Sequence, residues 1–337
     1  MPKFLILRFS SIGDIVLTTP VIRCLKQQVA DAEVHYATKK SYKTLVENNP
    51  YVDQYFLLDK SDNELINQLK KEKYDYVIDL HHNIRTLKIK WKLGVKSYSF
   101  DKLNFKKWLL VNFTFPKFIG HYFSFVNSVG KINQMPPVHI VDRYLKTVES
   151  FGVVNDNIGL DYFIPDKDEF KIGGMGKVNF ENYAVYAIGG QHETKKLPIN
   201  KMVELCKTIQ IPIVLIGGPE DFEKGEELIL TLRNSFWPGA LINMCGKCNL
   251  NQSASIIQKA AIVYTHDTGM MHVAAALKKK VISIWGNTVP AFGMYPYQTD
   301  YELIENNNLN CRPCSKIGFD QCPKDHFNCM NSLEFKV

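Results

Sequence analysis

Residues 263–285 read VYTHDTGMMHVAAALKKKVISIW. The run Ala261-Ile262-Val263-Tyr264 that opens the stretch is short and apolar, as a buried strand is. Thr265-His266-Asp267-Thr268-Gly269 interrupts it with a polar turn. An Ala-rich helix, roughly Met270 to Leu277, comes next. Lys278-Lys279-Lys280 closes it, where positive charge complements a helix C-terminus. Val281-Ile282-Ser283-Ile284-Trp285 is a further strand. Strand, turn, helix and strand make the repeating unit of α/β folds. The turn sets a hydroxyl, a glycine and backbone N–H groups at a helix N-terminus, which suits an anion. Asp267 and Thr268 would serve equally well as plain helix caps, and the turn alone does not choose.

The same plan recurs along the chain. Residues 3–9 form an apolar strand that runs into Ser10-Ser11-Ile12-Gly13-Asp14 and a helix to about Gln28. Gly13 permits close backbone approach. Asp14 is either an N-cap or a carboxylate aimed into a cleft. Further strands are expected at 33–38, 54–58 and 76–80, the last ending in His81-His82-Asn83. Adjacent residues of a strand point to opposite faces, so these histidines are read as polar groups at a cleft edge rather than ligands of one metal. A helix is expected over 139–151, ended by Gly152. Residues 153–178 are polar and Gly-rich and read as a linker. Beyond it, a strand at 183–188 ends in Gly189-Gly190-Gln191-His192-Glu193-Thr194-Lys195-Lys196-Leu197-Pro198, with a helix at 199–208. A strand at 213–216 ends in Gly217-Gly218-Pro219-Glu220-Asp221. A helix over 251–259 precedes the opening stretch. Two doubly wound halves with ligand-type loops at their strand ends predict a cleft that carries the function. The expected domains are 1–165, 166–305 and a Cys-rich tail, 306–337.

Composition narrows the classes. A chain of 337 residues with 45% hydrophobic content has material for two cores. Its net charge of +7 is spread with no long basic tract, which argues against a nucleic-acid partner and fits phosphorylated substrates or an anionic membrane surface. No apolar run reaches the roughly 20 residues of a membrane span. The N-terminus does not resemble a signal peptide. A cytoplasmic protein with reduced cysteines is therefore expected. Residues 85–131 are basic and aromatic, suited to stacking bases, gripping an acidic acceptor, lying on a membrane or forming a solvated face over an aromatic core.

Taken together, S-S-x-G-D-x-x-x-T-x-P at 10–20, K-x-x-P at 195–198, G-G-P-E-D at 217–221 and D-T-G-x-x-H at 267–272 resemble the ADP-heptose:lipopolysaccharide heptosyltransferases of glycosyltransferase family 9. The resemblance spans nearly the whole chain and rests on the order of the motifs. It implies a GT-B fold of two Rossmann-like domains and an inverting mechanism without an active-site metal. It makes Asp14, beside Gly13, the catalytic base and Lys195 the group that stabilises the leaving diphosphate, with Lys196 an alternative. It places Gly190, Gln191, Thr268 and Gly269 at the diphosphate and Cys248 at the base, with Glu220, or else Glu223, at the ribose. Asp267 would orient its loop and His272 would pack beneath it. The implied partners are a nucleotide sugar, an ADP-sugar first among them, and a lipid-linked glycan acceptor at the inner membrane surface, reached peripherally. Two departures stand out. Leu197 replaces the usual Trp, and the usual G-P-T-D-P loop is here Gly286-Asn287-Thr288-Val289-Pro290, so an acidic residue is missing at Val289. The rival reading keeps the fold and drops the chemistry, leaving a nucleotide- or glycan-binding protein.

Of eight cysteines, Cys311, Cys314, Cys322 and Cys329 cluster in the tail, with His326 nearby. Four cysteines so spaced can form a tetrahedral structural zinc site, hold an iron–sulfur cluster, or remain plain thiols.

Overall fold

A computed structural model describes residues 1–112, 135–170 and 182–335. The chain divides into two compact units, one formed by Met1–Lys102 with Val138–Asp166, the other by Leu103–Pro137 with Lys167–Val337. The tail and the segment 103–137 thus group with the second unit.

In the first unit five strands, β1 (Lys3–Leu7), β2 (Glu33–Lys39), β3 (Gln54–Leu58), β4 (Tyr76–Asp79) and β5 (Lys96–Ser99), lie in the order β3-β2-β1-β4-β5. All pairs are parallel; Phe4 stands opposite Val34 on one side and Tyr76 on the other. Phe4, Leu5, Ile6 and Leu7 are fully buried, as a central parallel strand covered on both faces requires. The strand order reverses between β1 and β4. Open α/β sheets bind ligands outside the carboxyl ends of the strands at such a point.

The second unit has six parallel strands, β6 (Ala184–Ala187), β7 (Ile213–Ile216), β8 (Leu241–Asn243), β9 (Ile262–His266), β10 (Lys280–Trp285) and β11 (Tyr301–Glu305), ordered β11-β10-β9-β6-β7-β8. Its reversal falls between β6 and β9, where Ala184 pairs with Ile262. The tail closes this unit's core: Cys329, Met330 and Leu333 pack with Leu197, Cys206 and Ile284.

The helices follow the expected plan with local corrections. The helix expected to run to Gln28 is two, α1 (Ile12–Val16) and α2 (Thr19–Gln28). Pro20 has no N–H and its ring crowds the carbonyl four residues back, so the ladder restarts there. The helix expected over 139–151 is regular only over Ile140–Leu145 (taken below as α6). The Thr147 hydroxyl donates to Tyr144 O at 2.6 Å and competes with the ladder, a 3-10 turn follows at Glu149–Phe151, and Gly152 stops it at φ +77°. Helices α3 (Asp62–Lys71), α4 (Ile84–Leu93) and α5 (Asn104–Asn112) come earlier. Those of the second unit are α7 (Ile199–Thr208), α8 (Phe222–Asn234), α9 (Leu250–Lys259), α10 (Gly269–Ala276) and α11 (Asn328–Asn331). The basic aromatic stretch is described only to residue 112; its remainder, and residues 171–178 of the expected linker, lie outside the described residues.

Candidate active site

Asp14 lies in the first turn of α1, just beyond the end of β1 at the first sheet's reversal. Its Oδ2 accepts from the N–H and the hydroxyl of Ser11, at 3.1 and 2.9 Å, so it does cap the helix. Its Oδ1 lies 2.6 Å from Arg8 Nη2. Arg8 is pinned in turn by Ser10 O, Leu80 O and the Tyr144 hydroxyl. Burial pushes the Asp14 carboxyl up. The Arg8 charge and the two Ser11 donors outweigh it, and the group sits below the ordinary carboxylate range. Asp14 is thus an ionised, oriented carboxylate with part of its surface open. After β4, the buried Asp79 accepts the N–H groups of His81 and His82 and pairs with Lys90 at 2.8 Å, which fixes the turn. Burial and the nearby Arg8 push His81 down to about 4, so its imidazole is neutral at pH 7. Its buried Nδ1 has no partner among the described residues, and the ring packs edge-on to Phe9.

In the second unit, five loops leave the carboxyl ends of parallel strands. The β6 and β9 loops meet at the reversal. A Cβ on Gly190 would stand 3.1 Å from Thr268 Cγ2, a tight contact, so these two turns approach closely at the glycine. Thr268 is the N-cap of α10 and Gly269 its first residue, with the N-terminal N–H groups of a helix behind them. Lys195 Nζ lies 2.6 Å from Asp267 Oδ2 and 3.1 Å from Asp267 O. Thr288 Oγ1 donates to the same Asp267 Oδ2 at 2.6 Å. Lys196, buried more deeply, turns inward to Glu193 and Asp221. The β7 and β8 loops form a neighbouring wall: Gly246 N donates to Gly217 O at 3.1 Å, and Gly246 takes φ +70° against Pro219. Glu220 on this wall is exposed and Cys248 half-buried. Gln191 is exposed, whereas His272 is buried within α10.

Several contributors have no motif of their own. His266, fully buried, accepts from Leu197 N at 3.1 Å and faces the Tyr186 hydroxyl at 3.3 Å. It therefore fixes the exit of the lysine loop as a neutral imidazole, with burial pushing it down to about 3. Arg8 also carries weight without belonging to a recognisable pattern, although an arginine interrupting the apolar run Phe4–Phe9 was a visible anomaly; Thr288 lies in the Gly286–Pro290 loop but was given no role there. Val289 is fully buried against Leu110, Met135 and Phe292, an apolar setting that explains why no carboxylate stands there.

The tail cysteines do not form a closed donor set. Cys311 Sγ lies 4.0 Å from His326 Nε2, and Cys314 and Cys329 feel the other tail thiols, but burial holds Cys314 up at about 11 and Cys329 at about 12. Zinc prefers thiolates in a compact tetrahedron. Among the described residues, the grouping of metal-type donors that is compact is Glu33, His35 and Glu72, all within 4.8 Å. That grouping already holds a cation: Lys3 Nζ bridges its two carboxylates at 3.0 and 3.2 Å. Among the described residues, no helix is long and apolar enough to cross a membrane.

These geometries have relatives. Lipopolysaccharide heptosyltransferase 1 of Campylobacter coli is 24% identical over 304 residues, covering 85% of this chain and 84% of that protein. The solved ADP-heptose lps heptosyltransferase II of E. coli superposes with a TM-score of 0.67 at 17% identity, over 98% of each chain. The E. coli heptosyltransferase WaaC with ADP gives 0.64 at 18% identity, over 94% of each. The two parallel α/β units are those of the GT-B fold. The family model of glycosyltransferase family 9 (heptosyltransferase) matches residues 126–323. With more than half its length inside that match, the chain belongs to glycosyltransferase family 9.

Proposed function

We propose that this chain is an inverting heptosyltransferase that moves a heptose from ADP-heptose to a lipopolysaccharide core or a related surface glycan. The observation that carries the reading is the lysine site at the second sheet's reversal. There Lys195 is aimed by Asp267 beside the N-cap of α10 and Gly190. A leaving diphosphate builds negative charge, and a cation, a hydroxyl and helix N–H groups fixed in advance stabilise it. Asp14 supplies the other half. Its carboxylate takes the proton of the acceptor hydroxyl as that oxygen bonds to the anomeric carbon, opposite the breaking bond to the diphosphate. ADP leaves with the bonding electron pair, and the configuration at carbon inverts. The reading asks for no cofactor. Gly13, Gln191, Glu220, Cys248, Thr268, Gly269 and His272 take the contacting or supporting roles that the family resemblance gives them.

The acceptor side includes a surface suited to anionic lipid. Helix α4, IRTLKIKWKL, has Arg85, Lys88, Lys90 and Lys92 and no acidic residue. Ile84, Leu87 and Trp91 lie along one side of it, 87%, 63% and 74% exposed. An apolar stripe with a tryptophan, flanked by cations, suits a lipid headgroup boundary. This supports peripheral attachment at the inner membrane, on the cytoplasmic side. Replacing Ile84, Leu87 and Trp91 with Ser should abolish sedimentation with phosphatidylglycerol vesicles and spare nucleotide binding; unchanged sedimentation removes the idea. A zinc on Cys311, Cys314, Cys322 and Cys329 would require the thiols to close together. About one zinc per purified chain supports it, and a metal-free protein with titratable tail thiols removes it.

The test of the central reading is a melting panel with ADP, GDP, UDP and CDP on wild type and Lys195→Ala. A nucleotide at about 100 times its Kd adds roughly 2.7 kcal/mol. The expected result is stabilisation by ADP alone, lost in the variant. Stabilisation by a different base redirects the donor. No response to any nucleotide overturns the reading.

A further inference from the structure

Arg312 is 1% exposed, and a guanidinium that deep must direct its five N–H donors to acceptors. Nε donates to Gly286 O at 2.5 Å and Nη1 to Asn306 O at 2.6 Å. Nη2 reaches Thr288 O at 3.0 Å and the Glu305 carboxylate at 2.9 Å, with Trp285 O further off at 3.5 Å. One side chain thus gathers the main chain that follows β10 and the end of β11. Thr288 is held at both ends, its carbonyl by Arg312 and its hydroxyl on Asp267. Asp267 in turn holds Lys195 through its carboxylate and its carbonyl.

A second strap reaches the same lysine from the other side. Thr194, its neighbour in the chain, donates its N–H to Phe319 O at 3.1 Å, and Phe319 N donates to Thr194 Oγ1 at 2.8 Å. Ser315 Oγ accepts from Ile317 N and Gly318 N and shapes the turn that delivers Phe319. Cys314 N donates to Asn287 O at 3.2 Å, which ties the tail between the two straps.

We propose that Arg312 is a positioning residue for the donor diphosphate, acting through Thr288 and Asp267 to hold Lys195, with residues 312–319 bracing the lysine loop from both sides. The inference rests on the reading of Lys195 as the phosphate lysine. A lysine stem has several rotatable bonds, and restraining it before the ligand arrives lowers the ordering cost of binding. A planar fork can bridge several fixed carbonyls at once, which an ammonium cannot reproduce.

The experiment measures ADP affinity by calorimetry for Thr288→Val, Arg312→Lys and the pair, each with Lys195 and with Lys195→Ala. With Lys195 present, each single change should weaken ADP about tenfold, the size of one lost charge-assisted hydrogen bond. The pair should do no worse than the stronger single change. With Lys195→Ala, both effects should vanish. Additive losses, or losses that persist without Lys195, overturn the proposal by showing general loosening of the loops. If Lys195→Ala alone leaves ADP affinity intact, the reading of Lys195 fails first, and the proposal with it. Thr288→Val leaves every tail hydrogen bond in place, so its cycle decides the matter even if Arg312→Lys does not fold.

Discussion

Val289→Asp restores the acidic residue usual for the family at this loop position, and it should cripple the protein rather than improve it. Val289 has no exposed surface and touches Leu110, Met135 and Phe292. Removing its buried apolar atoms costs about 1.5–3 kcal/mol. The incoming carboxylate is set among apolar neighbours, and an unpaired buried charge adds about 3–5 kcal/mol or is neutralised at similar expense. The two together come to about 4.5–8 kcal/mol. A kcal/mol shifts the melting temperature of a body this size by about 2–4 °C, so the second unit should melt about 10–30 °C lower. Val289→Ala, which loses only the apolar contribution, is the control and should fall by about 5 °C. Differential scanning calorimetry of both variants, with activity toward ADP-heptose at 20 °C, makes the measurement. The reasoning fails if Val289→Asp melts no lower than Val289→Ala. It fails more informatively if the aspartate raises the donor kcat/KM, because residue 289 would then face the sugar.

Asp14→Asn should lower transfer by about 10²–10⁴-fold while ADP still stabilises the fold, which separates the catalytic reading from a binding protein that has lost its chemistry; turnover within threefold of wild type would favour the latter. Arg8→Gln removes the charge that holds the Asp14 carboxyl below its ordinary range. A carboxyl depressed on folding adds stability above its unfolded pKa and loses it as pH falls through the folded value. The variant should therefore protonate Asp14 at higher pH. The acid limb of kcat/KM moves upward, and the share of stability that Asp14 loses on acidification shrinks; an unmoved limb contradicts the pairing. His266 is neutral in the fold, down at about 3 from an ordinary 6.5. It contributes stability above pH 6.5 that is lost as pH falls from there toward 3. His266→Gln should flatten that part of the stability profile; if urea unfolding gives the variant the same stability difference between pH 4.5 and 7 as wild type, another group is responsible.

The parts of this fold that could be read from sequence are those in which one residue type has one reason to be present. Central strands such as β1 and β10 are continuous apolar runs because both faces are covered, and their carboxyl ends are marked by Gly, Ser, Asp and Lys. Three of the four edge strands carried no such mark. Lys96–Ser99 and Tyr301–Glu305 are largely exposed, and Leu241–Asn243 is three residues long, so burial imposed no pattern on them. The candidate site divides along the same line. Asp14, Lys195 and Asp267 fall in segments just beyond strand ends whose local composition points to chemistry. What aims them does not: Arg8 works through Leu80 and Tyr144, 72 and 136 residues away, and Thr288 through Asp267, 21 residues back. Such partners become visible only once the sheet order brings distant loops to one edge. The tail shows the same logic most sharply. Its cysteines are what the eye finds in the sequence, because four in nineteen positions is a conspicuous spacing. In the fold the residue between the first two of them, Arg312, makes the contacts that lead to Lys195. A motif locates a segment worth examining, and the hydrogen-bond geometry decides which of its residues the site depends on.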